Sequence, residues 1–300
     1  MIDFLRYLAA KKSVDDRALN QSVWGQLRAD LLARQFGRPI GVLELGCGIG
    51  TMVERLLEWG LGDKVTYLGI DSQVKNIEAA ENRIWDWGSR NNYQMSLEKD
   101  QITLRKAECF WQVRFQEADV TTFQANSGLY DLLIANAFMD LIDVPSALDR
   151  FAHWLASGGL FYFTINFDGL TIFEPIYDPA RETKLMSLYH QSMDERQVEG
   201  QRSGDSQTGR HMFTHLRDAG TKILSAGASD WVVYPGIDGY PADEAFFLHC
   251  ILDFFEHTLK GHVALKPGEL DSWLTERRKQ IERAELTYIA HQLDFLGTFN

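Results

Sequence analysis

The chain has 300 residues, 45% of them hydrophobic and 24% charged, which is enough to bury a large core without stabilising cross-links. Its net charge is −12 and its densest basic run, Arg277–Lys279, lies beside glutamates, which argues against a nucleic-acid partner because phosphate backbones require a basic surface. The 3 cysteines form no CxxC pair, so we expect neither disulfides nor a metal site. With no apolar run of the ~20 residues that span a membrane, and no signal-peptide pattern, we expect a cytoplasmic protein without a membrane partner.

Apolar residues at helical spacing dominate the start of the chain, residues 2–36, and Gly37 and Pro39 end that helical region. From Ile40 onward, short apolar runs alternate with helical segments. These are predicted strands at 40–45, 65–70, 113–118, 129–135 and 160–166, and predicted helices at 51–59, 73–87 and 145–155. The polar residues 88–112 are predicted to form a longer connection with some helix.

Beyond residue 167 the pattern is less regular. Further predictions are helices at 209–219, 242–260 and 268–285, and strands at 222–226 and 286–293. The alternation of strands and helices predicts an α/β fold, in which a doubly wound and mostly parallel sheet carries helices on both faces. The predicted core is 38–167, completed by 209–230 and 286–300, and the predicted helical cap segments are 1–37, 168–208 and 231–285.

The most informative motif is the segment 44–50, Glu-Leu-Gly-Cys-Gly-Ile-Gly, between the first predicted strand and its helix. Glycines let the backbone turn tightly and come close to a ligand, although an ordinary tight turn is the alternative interpretation. The spacing differs from the G-x-G-x-x-G of dinucleotide sites, and the chain has no P-loop. Ligands of open α/β sheets bind beyond the carboxyl ends of the strands, where this motif lies.

Polar residues follow the neighbouring predicted strands. Asp71 ends the second strand, where a carboxylate can accept hydrogen bonds from both hydroxyls of a ribose. Asp119 ends the third strand and could accept from an adenine amino group. Each aspartate could instead cap the following helix or turn. Together with Glu44 and Asn136 they form a series at successive strand ends, which indicates a common ligand site.

These residues resemble the ordered motifs of class I S-adenosylmethionine-dependent methyltransferases. The resemblance rests on segment 44–50, on Gly-Ile-Asp at 69–71, on Glu-Ala-Asp-Val at 117–120 and on Tyr-Asp-Leu-Leu-Ile-Ala-Asn-Ala at 130–137. It covers residues 40–167 and, less specifically, the predicted strands near 222 and 290. It implies a Rossmann-like sheet whose last strand is antiparallel, S-adenosylmethionine as cofactor and S-adenosylhomocysteine as product. Segments 88–112 and 242–285 are longer than the family requires.

The resemblance also implies roles for individual residues at the cofactor. The glycine-rich positions would pack against the methionine part, Glu44 would orient the loop and the methionine ammonium, and Asp71 would hold the ribose. The full set of predicted cofactor-binding residues is Glu44, Gly46, Cys47, Gly48, Gly50, Asp71, Ser72, Asp119, Val120, Asn136 and Ala137. An acidic site without nearby lysine or arginine suits a sulfonium and an ammonium, and it disfavours the phosphates of NAD or ATP.

Methyl transfer from a sulfonium is a direct displacement, so alignment of donor and acceptor supplies most of the catalysis, and a base is required only if the nucleophile carries a proton. We predict a small-molecule acceptor, with His190 and Asp168 as base or orienting residues. The alternative for His190 is an ordinary surface position on a helix. Aromatic residues interleaved with Asp168, Glu174, Asp178 and Asp205 favour a cationic or amine acceptor.

Several alternatives stay open at this level. The chain could be a non-catalytic S-adenosylmethionine-binding sensor or assembly protein, an enzyme for another nucleotide, or an aminopropyl transferase. Metal-assisted catalysis would require a carboxylate cluster near Asp140, Asn166 and Asp168. A nucleic-acid methyltransferase is disfavoured by the charge and by the sequence Asn-Ala-Phe-Met at 136–139, where an Asn-Pro-Pro-aromatic sequence would be expected. The oligomeric state is not predicted.

Overall fold

The computed structural model of the protein describes residues 2–34, 37–125, 127–198 and 200–299, without the side chains of residues 198, 201 and 202. Its helices are α1 (Phe4–Ala18), α2 (Gln21–Ala33), α3 (Thr51–Glu58), α4 (Val74–Arg90), α5 (Val144–Trp154), α6 (Pro179–Asp194), α7 (Thr208–Asp218), α8 (Glu244–Leu259) and α9 (Glu269–Glu282). Its strands are β1 (Ile40–Leu45), β2 (Lys64–Asp71), β3 (Gln94–Glu98), β4 (Gln101–Lys106), β5 (Cys109–Glu117), β6 (Tyr130–Asn136), β7 (Leu155–Glu174), β8 (Gln197–Val198), β9 (Gln201–Arg202), β10 (Thr221–Ala228), β11 (Trp231–Val233) and β12 (Thr287–Phe299). A 3₁₀ turn, Met139–Leu141, follows β6.

Ten of the described strands form one large sheet with the order β10-β12-β7-β6-β1-β2-β5-β4-β3, in which β11 pairs with β12, and β8 and β9 pair only with each other. The central strands β7, β6, β1, β2 and β5 are parallel. β12 runs antiparallel to both β7 and β10. The predicted α/β fold, with a mostly parallel sheet and an antiparallel last strand, is therefore confirmed. Strand order reverses between β1 and β6, which is where such sheets bind ligands.

Helices cover both faces of this sheet. One hydrophobic core packs α2, α3 and α4 against the sheet, and a second packs α5 and α7 against the opposite face. A third core joins α1, α6, α8 and α9 to the distal parts of β7 and β12. This third core lies beyond the carboxyl ends of the central strands, so the helices that form it cover the edge at which a ligand would bind.

Two sequence-based predictions of elements were wrong. Residues 88–112 contain the end of α4 and the antiparallel strands β3 and β4, where a connection with some helix was predicted. The fifth strand was predicted to end at 166, but β7 continues to Glu174 because β12 pairs with it along this length. The predicted cap segments thus contain strands as well as helices, and the division into core and cap stays a prediction. Among the described residues, no helix combines the length and apolarity that a bilayer span requires.

Candidate functional site

The glycine-rich loop connects β1 to α3, and three of its residues have left-handed backbone conformations. Gly46, Gly48 and Gly50 have φ angles of 62°, 52° and 74°, a region that side chains disfavour. A Cβ atom on Gly46 would lie 2.3 Å from Cδ2 of Phe138, so only glycine fits there. The Cys47 amide donates to the Ile70 carbonyl oxygen at 2.9 Å, which ties the loop to the end of β2.

Asp71 holds this loop in place. Its Oδ2 accepts from the Gly48 amide at 2.9 Å, and its Oδ1 accepts from the Gln73 amide at 2.9 Å and from Nδ2 of Asn76 at 3.0 Å. The carboxylate therefore fixes the glycine loop and the entry into α4 at the same time. Ser72 is exposed beside it.

Glu44 lies behind the loop. Only 2% of its surface is exposed, and its carboxylate accepts a hydrogen bond from the Tyr67 hydroxyl. Burial raises the pKa of Glu44 to about 8, even though the Tyr67 hydrogen bond and the positive charge of Arg55 act to lower it. This position agrees with the expected role of Glu44 in orienting the loop, and contact with the methionine ammonium stays a prediction.

The predicted adenine and methionine residues lie at the ends of β5 and β6. The Asp119 Oδ1 accepts from the Thr121 hydroxyl at 2.6 Å and from the Thr121 amide at 2.7 Å, and these two hydrogen bonds lower the pKa of Asp119. Asn136 accepts from Thr164 Oγ1 at 2.8 Å, and Ala137 follows it with a left-handed φ of 52°. Strain of that kind is often retained at binding sites. The strand-end series predicted from the sequence is therefore present along one edge of the sheet.

Helix α1, part of the predicted cap segment 1–37, closes over this edge, but the residues that make the contact were not predicted. A Cβ on Gly48 would lie 3.4 Å from Cδ1 of Leu8, and Asp15 Oδ2 lies 3.5 Å from Asn136 Nδ2. Lys11 donates to Asp15 at 2.6 Å, and both side chains are buried. Charged residues on an amphipathic helix usually indicate a solvated face, so no signal in the sequence distinguishes this pair from surface charges.

The two predicted catalytic residues are not brought together in the part of the chain described. Nε2 of His190 lies 3.1 Å from Thr171 Oγ1, and burial lowers the pKa of its ring. Asp168 accepts from the backbone amide of Arg210 at 2.7 Å and from its Nε at 2.8 Å, so it holds the first turn of α7. Its second oxygen lies 3.6 Å from Nε2 of His291.

The other acids behind the amine hypothesis also have structural partners. Asp178 caps α6, Asp205 pairs with His211, and Glu174 accepts from the Ile176 amide. The predicted preference for a cationic acceptor stays a prediction, and each of these carboxylates already has a structural partner.

A different set of polar side chains meets beyond the end of β6. Asp140, in the 3₁₀ turn, keeps part of its surface accessible, yet burial raises its pKa against the opposing charges of Arg196 and Lys11. Tyr189 of α6 is also partly accessible, and burial raises its pKa to about 12. Asp140, Tyr189 and Arg196 thus lie near one another beyond the end of β6. The sequence did not single out Tyr189 or Arg196, because nothing in their neighbourhood marks them.

No metal centre is evident here. Within residues 2–34, 37–125, 127–198 and 200–299, no group of three or more histidine, cysteine, aspartate or glutamate side chains could hold an ion. The metal-assisted alternative therefore has no candidate site in that part of the chain.

Part of the chain matches a known protein family. Residues 43–161 match a family model described as a methyltransferase domain. The match spans the glycine loop, Asp71, Asp119 and Asn136, and it agrees with the predicted family and with the predicted enzyme class. Helices α1 and α2 precede the matched residues, and the chain from residue 162 onward follows them.

Several solved structures resemble this chain over most of its length, at low sequence identity. Geranyl diphosphate C-methyltransferase from Streptomyces coelicolor A3(2) is 11% identical, with a TM-score of 0.43 and coverage of 92% of this chain and 81% of that chain. The YcgJ protein from Bacillus subtilis is 10% identical, with a TM-score of 0.48 and coverage of 92% and 99%. Phosphoethanolamine N-methyltransferase 2 from Haemonchus contortus is 11% identical, with a TM-score of 0.42 and coverage of 100% and 61%. No curated protein matches the sequence.

Proposed function

We propose that the chain transfers the methyl group of S-adenosylmethionine to a small-molecule acceptor by direct displacement, and releases S-adenosylhomocysteine. The observation that carries this proposal is the glycine loop tied to Asp71 at the point where strand order reverses. A backbone that can approach a ligand closely, beside a carboxylate suited to a ribose, is what a nucleoside cofactor requires.

The residues present fit this cofactor. Asp71 Oδ2 accepts one hydrogen bond, from the Gly48 amide, so its second lone pair can accept from a ribose hydroxyl while the carboxylate holds the loop and α4. Asp119 and Val120 would contact the adenine, and Asn136 and Ala137 would contact the methionine end. Cys47 and Gly50 complete a loop without cationic side chains, which favours a ligand that has no phosphate.

The chain's own contribution to catalysis is alignment and exclusion of water. When bound, the cofactor supplies a methyl group already activated by its sulfonium. Helix α1 packs over the loop and α6 carries Tyr189 close to Asp140, so we place the acceptor cleft between them. Alignment of two reactants in such a space can contribute about 7–11 kcal/mol.

Proton transfer needs a group that faces the acceptor. We propose Asp140 for this role in preference to Asp168, because Asp168 is engaged by Arg210 whereas Asp140 keeps accessible surface in the cleft. His190 stays a candidate, since its lowered pKa keeps the ring neutral and able to accept a proton near pH 7.

Isothermal titration calorimetry with S-adenosylhomocysteine tests the cofactor assignment. The variant Asp71→Asn keeps an oxygen for the Gln73 amide but can present an amide group to Gly48, so we expect a loss of affinity of about 10-fold or more with little change in stability. Asp218→Asn, on the exposed face of α7, is the control and should bind as the wild type does. Absence of heat with the wild-type protein would overturn the proposal.

Incubation with methyl-labelled S-adenosylmethionine and a metabolite extract tests the transfer itself. A labelled product of low molecular weight supports the proposed function. Tight cofactor binding without any label transfer would instead support the non-catalytic sensor or assembly protein.

A further inference from the structure

One face of α1 is turned toward the cofactor edge of the sheet. Leu8, Lys11 and Asp15 are three and four residues apart, so they share a face of the helix. Leu8 packs on Gly48 of the glycine loop, and Asp15 reaches Asn136 at the end of β6. The two charged residues therefore lie between the loop and the strand end that are assigned to the methionine part of the cofactor.

The Lys11–Asp15 pair is buried, which is unusual for an ion pair within a single helix. Lys11 is 8% exposed and Asp15 is 2% exposed, and Nζ of Lys11 lies 2.6 Å from Oδ2 of Asp15. Removal of two charges from water usually outweighs their mutual attraction, so such a pair is weak evidence for a stabilising role. Because the buried pair lies at the edge of the sheet where the cofactor would bind, its position indicates a role in ligand recognition.

Lys11 has hydrogen-bonding capacity to spare. Its ammonium has three donors, and one of them is directed at Asp15. Its positive charge also acts on Asp140, on the acceptor side of the cleft. Arg55, the other buried cation nearby, is engaged with Asp16, with Thr51 Oγ1 at 3.3 Å and with the Lys12 carbonyl at 3.4 Å, and it lies 3.5 Å from Asp15 Oδ2. Lys11 is therefore the cation at this edge that can receive a carboxylate. Among the described residues, Asp15 Oδ1 accepts only from Trp231 Nε1, at 2.9 Å, so one of its lone pairs stays available to a ligand.

We propose that Lys11 binds the α-carboxylate and Asp15 the α-ammonium of the amino-acid end of the cofactor. The inference rests on the proposed function, and it adds two residues of α1 that lie outside the family match at 43–161. The two opposite charges of an amino acid complement this pair, and a ligand without the amino-acid end would gain nothing from it. Lys11 and Asp15 are thus positioned to select the cofactor against other adenosine thioethers.

Calorimetry with matched ligands separates this role from a structural one. S-adenosylhomocysteine and 5′-methylthioadenosine share the adenosine but differ in the amino-acid end. For Lys11→Met we expect affinity for S-adenosylhomocysteine to fall about 10- to 100-fold, as for loss of a charge-assisted hydrogen bond, while affinity for 5′-methylthioadenosine is unchanged. Lys12→Met is the matched control, because Lys12 is the next residue of α1 and pairs with Asp16 at 2.7 Å.

Asp15→Asn is tested with the analogue of S-adenosylhomocysteine that lacks the α-amino group. The variant should weaken S-adenosylhomocysteine binding and leave affinity for the desamino analogue unchanged, and Lys11→Met should behave in the same way toward the decarboxylated analogue. Unchanged binding of S-adenosylhomocysteine by Lys11→Met, or equal losses for S-adenosylhomocysteine and 5′-methylthioadenosine, would overturn the inference. If the wild type binds neither ligand, the proposed function itself fails.

Discussion

The Glu44 carboxylate is almost fully buried, and this burial determines the pH at which it ionises. Its folded-state pKa of about 8 lies above the ordinary glutamate value of 4.5. The folded protein therefore retains a proton that the unfolded chain releases between these values. Stability contributed by protonated Glu44 is fully present below about pH 4.5 and is lost as the pH rises toward 8.

Glu44→Gln removes this pH dependence while keeping an oxygen that can accept from Tyr67. We expect the free energy of unfolding of the variant to exceed that of the wild type at pH 9, by an amount on the order of 3 kcal/mol, and to be similar at pH 5. Urea denaturation at pH 5, 7 and 9 measures the difference. A difference between the two proteins that does not change with pH would contradict the assignment.

The glycines of the loop differ in the space around them, and this predicts different consequences of alanine substitution. Gly48→Ala places a methyl group at ordinary contact distance from Leu8, so the left-handed backbone alone should cost about 1–2 kcal/mol. Gly46→Ala adds a clash with the Phe138 ring, which should cost roughly 1–3 kcal/mol more. Thermal unfolding of both variants checks the order, and a Gly46→Ala protein as stable as Gly48→Ala would show that the loop does not pack as described.

At the scale of single residues, the sequence predicts those positions whose type and place in the chain are both informative. Asp71 and Asn136 follow apolar runs, so their place at the sheet edge could be derived from the order of elements. Lys11, Asp15 and Tyr189 belong to helices from distant parts of the chain. Their position at the same edge depends on how those helices pack, and the local sequence does not predict that packing.

Among the elements, α1 is joined to α3 by the buried side chain of Arg55. This guanidinium is fully buried, and it contacts Asp16 and lies 3.5 Å from Asp15. Arg55→Met would remove one cationic partner from each carboxylate, although Asp15 keeps Lys11 and Asp16 keeps Lys12. Loss of a hydrogen bond to a charged group typically costs about 1.5–3 kcal/mol.

We therefore expect Arg55→Met to lower the free energy of unfolding by about 1.5–3 kcal/mol in urea denaturation. Arg28→Met is a suitable control, since Arg28 is exposed and donates only to the Gly60 carbonyl at 3.0 Å among its described contacts. If both variants lost the same small amount, Arg55 would not be the link between α1 and α3.

The elements that were predicted incorrectly show what periodicity misses. In β4 and β5 the buried positions Ile102, Leu104, Trp111 and Val113 alternate with polar residues, as a strand with one buried face requires. The intervening glutamine, threonine and charged residues made the segment resemble a polar connection. The extension of β7 to Glu174 depends on pairing with β12, more than a hundred residues away, so no local pattern could indicate its length.

On the scale of the whole molecule, β7 and β12 tie the three cores together. Tyr162, Phe163 and Phe173 of β7 belong to different cores, and Leu296, Phe295 and Tyr288 of β12 are distributed in the same way. The helices over the ligand edge therefore cannot detach without disturbing strands that also hold the central sheet. This connectivity favours cooperative unfolding of the entire described structure.

Calorimetric unfolding should accordingly show a single transition, both alone and with S-adenosylhomocysteine. At a ligand concentration of 100 times the dissociation constant, mass action adds about 2.7 kcal/mol to the free energy of unfolding. For a chain of this size that corresponds to a rise in Tm of roughly 4–8 °C. The whole transition should move, because the glycine loop, α1 and the end of β6 all face the ligand and belong to all three cores. Two separated transitions, of which the ligand moves only one, would instead show that the helices over the sheet edge unfold independently of the methyltransferase core.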